Sequence, residues 1–415
     1  MTAEIIVGNK WGIAIAADSA VTVEQFYNGD IQRKVYNSAN KLFMLSKYAP
    51  VGAMIYNSTT VGGVPWETII KSVRADLAKK RFNTLREYAE FFFDRLDHDP
   101  RLFPEDSVRS VVWSNVFRLL LDLRSTSGNA SDFRSRLDAR LVQLEKADFI
   151  EGWGEATLKE VTTRYKGEIN SAAKIAVPIA SHRAGCTKKI ERLVGLSFTK
   201  KERLRGYSGI VVCGFGDGEV FPRAEEFYTD IVVCGRVRRW RINTHQVGPE
   251  QPSIVIPFAD TAVVRTITEG INPNYSTSLL RELIQILRAL PGELFAPIKE
   301  LTPEAKNAYA AAAIPAIISS LSSFNKKMLQ VRDETHIDPI RKTIQVLPIS
   351  ELATVAETLI NASQIHKRMN PDVESVGGPI DVAVISKGDG FVWIKRKHYF
   401  SPDLNPGFIR KYLDH

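Results

Sequence analysis

The chain has 415 residues, 44% of them hydrophobic and 25% charged, with a formal net charge of +8 at pH 7. That length allows two or three domains, or one elaborated domain, with a core that needs no covalent staples; the mild positive charge permits an acidic partner without requiring one. Three cysteines without CxxC spacing and seven scattered histidines without HxH or HExxH argue against a disulfide framework, a zinc ribbon and a metal site.

Residues 3–55 read as β-structure. Apolar runs at 5–7 and 12–17, separated by Gly8-Asn9-Lys10, suit strands buried on both faces, and runs at 41–46 and 51–55 form the next pair. A polar loop precedes Lys34. From Pro65 the pattern turns helical: 66–73, 85–96 and 111–121 carry apolar residues at helical spacing, with a loop at 125–132, and strand signals are absent across 80–206. Strands resume at 209–215, 228–234 and 253–257, with Asp217-Gly218 as a turn. Residues 260–271 are helical, and 276–290 form an amphipathic helix with Leu279, Leu280, Leu283, Ile284 and Leu287 on one side. The most apolar stretch, 308–321 (AYAAAAIPAIISSL), is too short to span a bilayer and contains Pro315; it predicts a buried helix, or two helices meeting at the proline. A helical block runs on to 369. Strands at 379–385 and 391–394 flank Lys387-Gly388-Asp389-Gly390 as a hairpin.

Several signals point to structure rather than chemistry. Gly214-Phe215-Gly216-Asp217-Gly218 lacks GxGxxG spacing and reads as a hairpin turn, not a phosphate site. The basic clusters at 200–205 and 236–241 read as solvated strand edges in preference to a nucleic-acid patch. Cys213 and Cys234 fall in expected strands and read as core residues. No signal-peptide pattern opens the sequence, so cytoplasm is the expected compartment, with no membrane partner.

The first 34 residues carry the chemistry. Thr2 follows a Met that is removed when the second residue is small. An N-terminal Thr holds a hydroxyl nucleophile and a free α-amine on one residue, and that amine can act as the base. A nearby Lys lowers the pKa of both groups, and an Asp paired with it holds it in place. Asp18 and Lys34 could supply these, although taken alone they could equally be a turn residue and a solvated loop charge.

The stretch resembles the proteasome β-subunit family, whose relatives include HslV and the Anbu-type bacterial homologues, all N-terminal-nucleophile hydrolases. Asp18 and Lys34 lie 16 and 32 positions after Thr2, the family's offsets for its Thr, Asp and Lys. GIAIAADS through Thr22 is similar to the family's G-V-x-V-A-A-D-S-x-x-T, and Arg33-Lys34-Val35 to its R-K-V. Near the other end, Asp372-Val373-Glu374-Ser375, Gly377-Gly378 and the run 380–385 look like the family's D-x-x-S-G-G segment, with Val376 as an extra residue.

The resemblance implies an α+β fold, a four-layer αββα sandwich with two helical insertions. The core would comprise 1–80, 207–275 and 350–415, and the insertions 81–206 and 276–349. It implies a threonine peptidase cleaving peptide bonds through an acyl-enzyme at Thr2, with Asp18 and Lys34 as catalytic partners. Ser19, Asp372 and Ser375 would support them. The family's oxyanion-donating glycine falls on Tyr56 or Asn57, with the backbone N–H of Asn57 the expected donor. Its G-S-G serine falls on Asp260 or Thr261. No cofactor is implied. Partners would be a peptide or protein substrate, further copies in a homo-oligomer, and an unfoldase or adaptor. The competing reading is an inactive proteasome-like scaffold whose helical insertions bind a protein partner.

Overall fold

The structure, a computed structural model, describes residues 3–27, 30–99, 101–125, 127, 129–370, 376–398, 400–407 and 410. The chain opens with β1 (Ala3–Asn9), β2 (Gly12–Ala17), β3 (Val21–Tyr27), β4 (Asp30–Tyr36), β5 (Leu42–Met44), β6 (Val51–Asn57), the short β7 (Thr60–Val61) and β8 (Val64–Pro65), and α1 (Trp66–Leu77). Seven helices follow: α2 (Leu85–His98), α3 (Glu105–Ser125), α4 (Ala130–Lys146), α5 (Glu155–Arg164), α6 (Lys166–Ala176), α7 (Ala180–Arg183) and α8 (Thr187–Thr199). Strands return as β9 (Ser208–Gly214), β10 (Arg223–Val233), β11 (Arg236–Gln246) and β12 (Ser253–Ala259). Then come α9 (Ala262–Glu269), α10 (Pro273–Phe295), α11 (Pro303–Arg332), a π-helical turn at Asp333–Ile337, α12 (Asp338–Val346), α13 (Ile349–Arg368), β13 (Asp381–Ser386) and β14 (Gly390–Lys395).

The fold is α+β. One antiparallel sheet has the order β12-β1-β2-β13-β14, a second β11-β10-β9-β6-β5, and β3 pairs with β4 in a separate two-stranded ribbon. The alternation of side chains along β2 shows how the first sheet is used. Ile13, Ile15 and Ala17 join Met54, Val211 and Cys213 of the second sheet in one buried cluster, while Ala14 and Ala16 join Leu352, Ala356 and Ile360 of α13 in another. Those α13 positions recur at helical spacing, so one face of the helix is apolar. Gly12 is required at the β2 edge of this contact, because a Cβ there would lie 2.5 Å from the Ile385 carbonyl oxygen. The opposite face of the second sheet, with Ala53, Ile55, Ile210 and Val212, shares a third cluster with α1, α2 and the helices beyond them. Each fully buried Ile or Leu in these clusters contributes roughly 1.5–3 kcal/mol.

The structure departs from the sequence expectation at several places; among them, Cys234 lies in the turn after β10 and is only half-buried. The polar stretch before Lys34 is not a loop; its backbone forms the β3–β4 ribbon, with Val23 opposite Lys34. β10 begins at Arg223, ahead of the expected 228. The basic run 236–241 lies in the edge strand β11 as expected, but its Arg238 is fully buried against Asp230 and not solvated. The other basic cluster, 200–205, lies between α8 and β9 and not on a strand edge. The apolar stretch 308–321 is not buried. It lies inside α11, a continuous helix through Pro315 with no buried residue, since among the described residues little packs over its outer face. Among the described residues no helix is long and apolar enough to cross a membrane.

Candidate active site

Four strand ends converge at one end of the first sheet. β1 starts at Ala3, which lies opposite Ala259, the last residue of β12. β2 ends at Ala17, opposite both Glu4 and Asp381, the first residue of β13. Asp18 follows directly and ties these ends together. Its backbone N–H donates to the Ala3 carbonyl (3.1 Å), and its Oδ1 accepts the Ala3 N–H (3.1 Å). Its Oδ2 accepts the N–H groups of Gly377 (2.9 Å) and Ala20 (3.3 Å). Asp18 is fully buried, so these bonds replace the water that a carboxylate needs.

The ammonium at this carboxylate is that of Lys41. Its Nζ donates to Asp18 Oδ1, the same oxygen that takes the Ala3 N–H, and lies 3.1 Å from Glu4 Oε1. All three side chains are at most 2% exposed. Lys41 is placed by the second sheet: it sits at the head of β5, and its carbonyl accepts the Ile55 N–H of β6 (2.9 Å). The ion pair therefore joins the two sheets.

A second charged pair adjoins the first. The carboxylate of Asp381 accepts the backbone N–H of Lys397 (2.8 Å) and its ammonium. Burial, above all, pushes the Lys397 ammonium below its usual range; Asp381 opposes this, and the charge of Lys41 adds to it. Three carboxylates (Glu4, Asp18, Asp381) thus surround two ammonium groups. Beyond Ala259, whose φ of 56° turns the chain, buried Asp260 pairs with Lys367 at 3.1 Å. Across the sheet interface, Tyr56 stacks on Phe258 with ring centroids 5.5 Å apart and donates to Glu226 (2.6 Å). Burial, then the Glu226 charge, drive that phenol well above its ordinary pKa.

Of the residues singled out in the sequence, Asp18, Ser19, Asn57 and Asp260 lie around these strand ends. Ser19 donates from its backbone N–H to the Gly377 carbonyl (3.1 Å) and from its hydroxyl to that of Pro379. Asn57 ends β6 with φ 65°, the left-handed conformation that asparagine tolerates better than most residues. Lys34 is a correction. It is exposed on β4 with its ammonium 5.1 Å from the Tyr36 ring centroid, and the lysine paired with Asp18 is Lys41. Thr2, Asp372 and Ser375 lie outside the described residues. Sequence reasoning missed Lys41, Glu4, Asp381 and Lys397. The signal for two of them is a charge set against an apolar run, Glu4 in AEIIV and Lys41 before LFML, since a buried charge needs a partner.

A separate groove of about 640 Å³ lies between α2 and the edge strand β11. Its arginines are already engaged: Arg239 pairs with Asp97 (2.7 Å), Arg86 with Glu90 (2.9 Å) and Arg241 with Glu225 (3.4 Å), and Arg236 lies over Trp153.

No protein-family model matches the chain, and no curated protein does. Among solved structures the chain is similar to an Anbu mutant from Hyphomicrobium sp. strain MC1, over 100% of this chain and 96% of that one, at 9% identity and a TM-score of 0.31. A likeness that slight decides nothing about activity.

Proposed function

We propose that the chain is a proteasome-like threonine peptidase in which Lys41, rather than Lys34, is the lysine beside the nucleophile. The buried Asp18–Lys41 ion pair at the head of β1 carries this reading. The same carboxylate oxygen holds the Lys41 ammonium and the N–H of Ala3, the residue that follows Thr2 in the sequence. After removal of Met1, the Thr2 hydroxyl attacks a peptide carbonyl and its α-amine takes the proton. The charge of Lys41 favours the neutral amine and eases loss of the hydroxyl proton. Asp18 and Glu4 fix Lys41. In this reading the backbone N–H of Asn57 is the oxyanion donor. An acyl-enzyme ester forms, the amine product leaves, and water releases the acid.

In this reading the two sheets and their flanking helices form a four-layer αββα sandwich. The core comprises 1–80, 207–275 and 350–415, and 81–206 and 276–349 are insertions. Intact-mass analysis of purified protein should show Met1 absent, and a peptide boronate or epoxyketone should label Thr2. Lys41→Ala should abolish labelling while Lys34→Ala preserves it. Labelling that survives Lys41→Ala, or an active protein that retains Met1, would defeat the reading. An inactive scaffold is the second reading, favoured by the apolar residues that α10 and α11 leave exposed.

A further inference from the structure

Helices α10 and α11 fold back on one another. Lys306 donates to the Ala296 carbonyl (2.7 Å) across their turn, and the rings of Phe295 and Tyr309 lie 5.8 Å apart. The hairpin's sequence is wrong for a surface element. Residues 307–325 carry no charge on any face, over about five helical turns. A surface helix ordinarily carries charged residues on its outer face, yet this uncharged stretch is exposed: α11 has no buried residue and α10 has one, Pro291. Twelve large hydrophobic side chains between Tyr275 and Val331 are exposed, among them Ile286 at 62%, Leu294 at 60% and Ile318 at 50%.

We propose that this hairpin is the contact between two copies of the chain. In it, α11 lies antiparallel to α11 of the second copy, and the two hairpins close a four-helix bundle about a twofold axis near Pro315. Charge selects this occupant. Glu304 and Lys326 are equally distant in sequence from Pro315, so the twofold sets Glu304 of each copy against Lys326 and Lys327 of the other. Among the described residues, none of these three has an ion pair within its own chain, whereas Lys306 is already engaged. Area agrees. The twelve side chains, each about half exposed, offer on the order of 1,000 Å², against about 800 Å² per partner in a stable interface. The neutral centre is mostly Ala and Ser, which lets helix axes approach to about 8–10 Å.

Cross-linking of the full chain tests the contact whatever other assembly it makes. Ala316→Cys, beside the proposed axis, should yield under mild oxidation a disulfide-linked species of twice the 46.4 kDa chain mass. Lys299→Cys at the hairpin turn should not. In sedimentation, Glu304→Lys and the pair Lys326→Glu/Lys327→Glu should each weaken the dimer by ~tenfold, and the triple swap should restore it. A folded Ala316→Cys protein that does not cross-link overturns the proposal. So does a triple swap that fails to restore association, or a wild-type chain that remains monomeric and floats with phosphatidylcholine vesicles.

Discussion

Replacing Lys41 with methionine keeps the volume of the side chain and removes its charge. Asp18 and Glu4 then face each other without the ammonium, in a setting where the three side chains are at most 2% exposed. Removing one partner of a buried ion pair costs about 3–5 kcal/mol, because the remaining charge keeps its desolvation penalty. Asp18 retains the N–H groups of Ala3, Ala20 and Gly377, which places the expected loss near the lower end, ~3 kcal/mol. With an m-value of about 3 kcal/mol/M, the urea midpoint should fall by about 1 M. Tryptophan fluorescence and far-UV circular dichroism would both read the transition. Lys34→Met is the paired measurement: an exposed ribbon lysine should change stability by less than about 0.5 kcal/mol. The reasoning is refuted if the two variants unfold at the same urea concentration, or if Lys34→Met is the more damaging.

Burial pushes the thiols of Cys213 and Cys234 up to about 12, so in the native protein at pH 8 both should resist Ellman's reagent, while all three cysteines react in guanidinium; rapid native labelling of Cys213 would contradict its placement. Lys397 has its folded pKa lowered by burial, so between that value and the unfolded value of about 10.4 the folded state binds fewer protons and stability rises with pH. Lys397→Met should remove that gain, and urea midpoints of wild type and variant that run parallel up to pH 10 would count against it. Gly209→Ala would set a Cβ 1.8 Å from the Tyr56 ring, so it should cost about 1–3 kcal/mol in thermal unfolding and displace the Tyr56–Glu226 bond; an unchanged melting temperature would show that the ring moves freely.

The strands of the first sheet were legible because their surroundings are apolar on both sides. GIAIAA has nowhere to go but between a helix and another sheet, and its neighbours in AEIIV and DVAVI read the same way. The aspartate at the end of β2 was legible for the same reason, since it follows the strand without a gap. The lysine was not. Counting a fixed distance from Thr2 assumes a fixed path between β2 and the second sheet, and here the β3–β4 ribbon occupies that path, with position 34 exposed on β4 and the ion pair made by Lys41 at the head of β5. The missed signal was Asn28-Gly29 between two runs of strand-forming residues, a strong hairpin pattern. The stretch 308–321 misled in the other direction. Its composition calls for burial, but a single chain's sequence does not say whether the covering surface belongs to that chain.

The ribbon's placement has a consequence for how the chain can vary. Both of its feet are pinned: the Ala39 N–H donates to the Ser19 carbonyl (3.1 Å), and Asp18 and Lys41 lock the residues just outside. What lies between them is a closed excursion whose length the charged pair does not register. Doubling such an excursion costs only about 0.6 kcal/mol in closure entropy. Segments grafted between β3 and β4 should therefore leave the strand ends where they are, so new recognition surface can be added there at little cost to the core.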